Sequence, residues 1–140
     1  MNVPVNFLAI LVAGIVSMAI GFLWYSPLVL GKPWMKEKGL SAESLKKAQK
    51  DMGMLYGISF VVALVSGYVL FHVMFLSENF FHYTRFTTGV MSAFWMWLGF
   101  MMPVQVTATI FGGKNWKLLG IDTGYQLASL LAMGIVIALL

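Results

Sequence analysis

The chain has 140 residues, 60% of them hydrophobic and only 10% charged, with a net charge of +4 and a mean hydropathy of +0.86. A soluble domain carries about 25% charged residues, so this composition excludes a surface clothed for water and asks for a bilayer around it. With no cysteine, disulfides and thiolate metal sites are excluded as well.

Four spans of about 20 residues occupy about 80 positions. That leaves room for one substantial loop and for no separate soluble domain. The opening segment, Met1-Asn2-Val3-Pro4-Val5-Asn6, has no basic side chain and no small-residue cleavage site set off from the apolar run behind it. It is read as the start of a retained helix, not as a cleaved signal peptide.

The first apolar run predicts a helix over about 5–26, stopped at Ser26-Pro27, because proline removes a backbone donor and disfavours helix at the residue before it. A long connection follows. It contains Gly31-Lys32-Pro33-Trp34 and then a short predicted helix over about 41–52. Ser41 is its expected N-cap, and Glu43 falls in the first turn, where the helix dipole favours acid. Leu45, Ala48 and Met52 form one apolar stripe, with Lys46, Lys47 and Lys50 elsewhere on the circumference. That is the pattern of an amphipathic helix lying on a membrane surface; an exposed polar linker is the plainer alternative.

The second span is predicted over about 54–76, ending in Ser77-Glu78-Asn79, and the third over about 86–111, interrupted by Pro103. Pro103 leaves the carbonyl of Gly99 without its helical donor, which predicts a kink. The fourth runs over about 117–140. The fold class expected is all-α, an integral membrane bundle of four transmembrane helices forming a single domain over 1–140.

Basic residues near helix ends set orientation. Of the nine, Lys32, Lys36, Lys38, Lys46, Lys47 and Lys50 lie in the first loop, Lys114 and Lys117 in the third, and Arg85 alone in the second. Loops one and three fall on one side of four spans. The lysine-rich side is therefore expected to face the cytoplasm, with both termini outside, in a multi-pass protein of a bacterial inner membrane. The first-loop lysines would suit anionic lipid. Because the charge is gathered in loops, nucleic acid is not expected as a partner.

A weak repeat relates Gly21-Phe22, Pro27 and Gly31-Lys32-Pro33-Trp34 to Gly99-Phe100, Pro103 and Gly113-Lys114-Asn115-Trp116. It is consistent with one helical hairpin used twice in parallel orientation; chance similarity between apolar segments is the alternative. Small residues recur every fourth position: Ala13, Ser17 and Gly21; Ser59, Ala63 and Gly67; Gly89 and Ala93; Gly120, Gly124, Ala128 and Ala132. Such stripes let backbones approach closely where lipid offers no hydrophobic drive. They suit contacts within one chain or between copies in a homo-oligomer.

Asp122 is the most informative ionisable residue. It sits about five residues into the fourth helix, or 7 to 8 Å at about 1.5 Å per residue, where an unpaired charge is costly. Gln105 and Ser59 fall at similar depth, Gln126 lies one turn above on the same face, and the four suggest a polar crevice open to the cytoplasm. Two readings compete. Asp122 couples protons or cations in a small transporter or channel, or it accepts hydrogen bonds from Gln105, Ser59 or backbone near Pro103, or pairs with Lys114 or Lys117, and joins helices. Joining is favoured.

Trp24, Tyr25, Trp34 and Trp116 fall near the predicted cytoplasmic interface, where amphipathic rings form a belt. Trp95 and Trp97 lie near mid-membrane and are expected to pack against other helices, with the lining of a ligand pocket as the alternative. His72, Glu78 and His82 gather near the second loop, but their spacing matches no metal motif. No phosphate-binding Gly-rich loop, nucleophile triad or HExxH pattern appears. No metal, cofactor or enzymatic activity is expected.

Trp24-Tyr25-Ser26-Pro27 with Gly31-Lys32-Pro33-Trp34-Met35, then Asn115-Trp116-Lys117 and Gly124-Tyr125-Gln126-Leu127, resembles the DUF1761-type family of small four-helix bacterial membrane proteins, a domain of unknown function. The resemblance covers nearly the whole chain, and the stretch from Trp24 to Trp34 is its most specific part. It implies the four-helix topology and supplies no activity. In that family's pattern the Asp122 position is often asparagine, which implies that a polar side chain is wanted there more than a titrating acid. Tyr125 also matches, as the second half of the same helix-joining contact. The function expected is a non-enzymatic helix-packing or oligomeric membrane module.

Overall fold

Asn6 starts the first helix: its side chain accepts the amide of Ala9 at 3.0 Å, satisfying one of the donors that a helix start leaves open. The computed structural model describes residues 3–140; Met1 and Asn2, where the segment read as retained begins, lie outside them. Helix α1 is Phe7–Trp24, followed by α2, Gly31–Glu37, and α3, Ala42–Ala48. A 3₁₀ turn at Gln49–Asp51 leads into α4, Met52–Phe81. Helix α5, Arg85–Met96, passes through a π turn at Trp97–Met101 into α6, Met102–Phe111, and α7 is Trp116–Leu139. The only regular secondary structure among the described residues is helical, with no strand among them.

Among the described residues, four continuous helical stretches are long and apolar enough to cross a membrane: Phe7–Trp24, Ala42–Phe81, Arg85–Phe111 and Trp116–Leu139. Helix α7 is the hub. It packs against α1, α4, α5 and α6, and α2 rests on it as well. The core is narrow, and Ala13, Leu70, Met133 and Ile137 close it. Most large apolar side chains point outward instead, among them Phe7, Ile15, Val61, Val65 and Phe100.

Three local features depart from the sequence reading. Gly31-Lys32-Pro33-Trp34 is helical, because the turn before it folds back and lets Gly31 start α2. Helix α4 continues past Leu76 to Phe81. There Asn79 donates to the Phe75 carbonyl at 2.7 Å, and the helix ends only at His82, with φ 56°. The Pro103 interruption is a single π turn. Met102 N–H bonds back to Trp97 O, so one extra residue per turn absorbs the missing donor without breaking the helix.

Ser41 caps α3 in a reciprocal box with Ser44. None of that helix is buried, and Leu45 and Met52 are only half-buried.

The small-residue stripes pack unevenly. Ala13 and Ser17 are buried on α1, and Ala93 on α5. On α7 the expected stripe packs only in part: Gly124 lies against the Trp24 ring, which comes within 3.1 Å of where a Cβ would stand. Gly120 has open space around it, and the buried positions are Ile121, Thr123 and Ser129, then Leu130, Met133, Gly134 and Ile137 toward the far end. There Gly89 and Gly134 meet directly. A Cβ on either would lie 2.5 Å from the carbonyl oxygen of the other, so only glycine lets α5 and α7 come this close.

Candidate functional site

The site begins with the turn after α1. Leu30 N–H donates to Trp24 O at 3.0 Å, and the Ser26 carbonyl accepts Val29 N–H at 3.1 Å and Gly31 N–H at 2.8 Å. Ser26 Oγ donates to Leu23 O at 2.7 Å, occupying a carbonyl near the end of the helix. Gly31 is required because a Cβ there would strike the Tyr25 carbonyl and lie 2.7 Å from Ser26 backbone. This tight reversal carries α2 under the end of α1 and places the Trp34 ring 5.1 Å from the Tyr25 ring.

Three consecutive residues of α7 then receive aromatic donors. Trp24 Nε1 donates to Ile121 O at 3.0 Å. Asp122 Oδ1 accepts both Tyr25 Oη, at 2.9 Å, and Trp34 Nε1, at 3.1 Å. Trp97 Nε1, from the π turn, donates to Thr123 O at 3.0 Å. Indole N–H is donor-only, so the three indole contacts fix which group accepts. The Tyr125 ring packs 5.2 Å from that of Tyr25, one side chain removed from the carboxylate.

Asp122 thus joins elements, but through other partners than expected. Neither Gln105, Ser59 nor backbone near Pro103 donates to it, and Lys117 is engaged elsewhere. Trp24, Tyr25 and Trp34 are hydrogen-bonded into α7 instead of standing free in a belt; Trp116 is 57% exposed. The reason is chemical: indole and phenol groups that leave water need a partner, and α7 supplies three in a row. That need for a donor's partner is the signal by which Trp97 could have been found.

A second contact closes the same end of the bundle. Lys117 Nζ lies 3.1 Å from Glu37 Oε1, and Asn115 Nδ2 donates to Glu37 Oε2 at 3.1 Å. Asn115 also caps α7 by accepting the Leu118 amide at 3.0 Å. The hydrogen bond from Lys117, then that from Asn115, hold the Glu37 carboxyl below the usual carboxylate range. Lys38 sits over the Trp34 ring at 4.6 Å, while Lys32 is exposed. The first and third loops are therefore in contact.

The remaining residues of the expected crevice lie elsewhere. Ser59, Tyr125 and Gln126 line a cleft of about 320 Å³ between α1, α4 and α7, together with Ser17, Ser66 and Ser129. Ser17 and Ser129 hydroxyls are paired at 2.7 Å. Asp122 and Gln105 are not among its lining residues, so the predicted four-residue crevice divides in two. Position along α7 explains the division: Asp122 lies on the same side of the helix as Tyr125 and Gln126 but about one turn nearer its start, where Tyr25 and Trp34 cover it. Near the second loop, His72 Nδ1 lies 2.8 Å from the Tyr68 carbonyl. Among the described residues no three His, Asp or Glu side chains gather as a metal site.

Fold and site define an all-helical bundle with four long apolar helices, pinned at one end by an aromatic–carboxylate contact between its first loop and its last helix. The chain belongs to the family described as a protein of unknown function (DUF1761), which it matches over residues 8–138. Comparisons with curated proteins and with solved structures returned no match.

Proposed function

We propose that the chain is a four-span integral membrane protein acting as a non-enzymatic packing module, in which Asp122 fastens the first loop to the last helix. The observation that carries this reading is the double hydrogen bond on Asp122 Oδ1 from Tyr25 and Trp34. A carboxylate occupied by two fixed aromatic donors, outside the cleft lining, is suited to joining elements and poorly placed to shuttle protons or cations. The outward-facing apolar side chains of all four stretches support the bilayer, since burying them there costs nothing that water would refund.

The lysine-rich first and third loops support a cytoplasmic placement of that end in a bacterial inner membrane, with both termini outside. The lysines of exposed α3 support contact with anionic headgroups. Helix α6, with no buried residue, is the face that a second copy would cover in an oligomer.

The test reconstitutes wild type and Asp122→Asn in liposomes and follows proton and monovalent-cation flux. Flux in neither, with similar melting temperatures, is the expected result. Flux that disappears with the carboxylate overturns the reading in favour of a coupled transporter. Labelling of cysteines placed at Lys46 and near the C-terminus checks the topology, which fails if both report one compartment.

A further inference from the structure

Gln126, on the wall of the cleft between α1, α4 and α7, carries an unanswered polar atom. Gln126 Oε1 is buried and has no hydrogen-bond partner among the described residues. A buried acceptor left in that state is costly, and membrane interiors offer no bulk water to relieve it. Gln126 lies about ten residues into α7, roughly 15 Å from its start. On the membrane reading this is well inside the bilayer.

We propose that this cleft binds a neutral amphiphilic alcohol, with its hydroxyl on Gln126 and its aliphatic body along the methionine wall. Four features point to that ligand. None of the lining residues is charged, so a charged headgroup would be buried without a partner, which is costly. The walls around Gln126 are apolar and flexible, with Met101 and Met133 among them, and thioether side chains adapt to an irregular chain. A hydroxyl is donor and acceptor at once, so once the Gln126 amide turns into the cleft it can answer Oε1 while a Ser59 or Ser66 hydroxyl bonds to it. The volume of about 320 Å³ falls at the lower end of the range for small-molecule sites, about 300–1,000 Å³.

Access is lateral. Ile58 and Val62, both on the cleft lining, are 54% and 58% exposed, so the mouth opens on the flank of the bundle and not at its loops. A ligand arriving from the surrounding lipid enters chain and hydroxyl together. The proposal rests on the membrane reading above but is independent of the role given to Asp122.

The test uses the full chain in phosphatidylcholine nanodiscs, with a hexadecyl alcohol carrying a mid-chain diazirine and the methyl ether of the same alcohol. Incorporation into the discs checks the membrane reading separately, before any label is read. After photolysis, mass spectrometry is expected to place the label on peptides containing Val62, Met101 and Met133. The alcohol is expected to outcompete the ether by about tenfold, the ratio that 1.4 kcal/mol gives.

Gln126→Leu is expected to erase that preference. Val62→Trp, which fills the mouth from an exposed position, is expected to abolish cleft labelling by both probes even should Gln126→Leu fail to fold. Equal labelling by alcohol and ether, label scattered over the outer faces, or cleft labelling that survives Val62→Trp would overturn the proposal. Water alone filling the cleft gives the first of these results.

Discussion

Trp34 donates its indole N–H to Asp122 Oδ1 at 3.1 Å across 88 residues of sequence. It makes the first loop a structural part of the last helix. Without it α2 would be a tethered surface segment, because its seven residues are too few to form a helix alone. Tyr25 shares the same oxygen, so the end of α1, the turn and α2 all converge on one atom of α7.

Asp122→Asn should therefore be tolerated, since an amide oxygen accepts the same two donors. Asp122→Ala should lower stability by about 1–3 kcal/mol, because Tyr25 and Trp34 lose their acceptor. Thermal unfolding in detergent micelles of the three proteins measures this. An asparagine variant as unstable as the alanine variant would count against the hydrogen-bond account.

Trp34→Phe separates the indole donor from the ring. It keeps the aromatic contact with Tyr25 and removes one hydrogen bond, at an expected cost of about 1 kcal/mol. Combined with Asp122→Ala it should cost less than the sum of the two single changes, because both delete one interaction. Strict additivity in that double-mutant cycle would disprove the coupling.

Glu37 gives the loop contact a pH dependence. A carboxyl whose folded pKa lies below its ordinary value of 4.5 stabilises the folded arrangement fully above that value. The contribution is lost as pH falls through the lower folded pKa. Spin labels at Lys32 and Lys114 should accordingly report a fixed separation at neutral pH and a broadened one below 4.5. Glu37→Gln, which keeps a hydrogen-bonding oxygen but no charge, should show no such transition.

The glycines of α7 should respond in opposite ways. Gly134→Ala, or Gly89→Ala across from it, forces a Cβ onto the partner backbone and should cost about 1–3 kcal/mol. Gly120→Ala meets nothing within 4 Å and should be neutral or slightly stabilising, by up to about 1 kcal/mol. Equal losses at Gly120 and Gly134 would mean that α7 presents a different face.

The sequence by itself determined the helical class and the four long apolar stretches, because span length and apolar composition are local properties of consecutive residues. It also marked Trp24, Tyr25, Trp34, Asp122 and Tyr125 as residues of interest, although it assigned most of the aromatics to a belt. Only the tertiary structure decided what they touch. Asp122 takes donors 97 and 88 residues away, and no local pattern fixes how far each helix is rotated toward another.

The same cause displaced the stripe on α7. Steps of four residues drift about 40° per step around a helix of 3.6 residues per turn, so Gly120, Gly124, Ala128 and Ala132 wind away from any single neighbour. Leu130, Met133, Gly134 and Ile137, spaced by three and four, remain on one face. Which face is buried depends on the neighbours that surround α7, and that is a property of the assembled bundle.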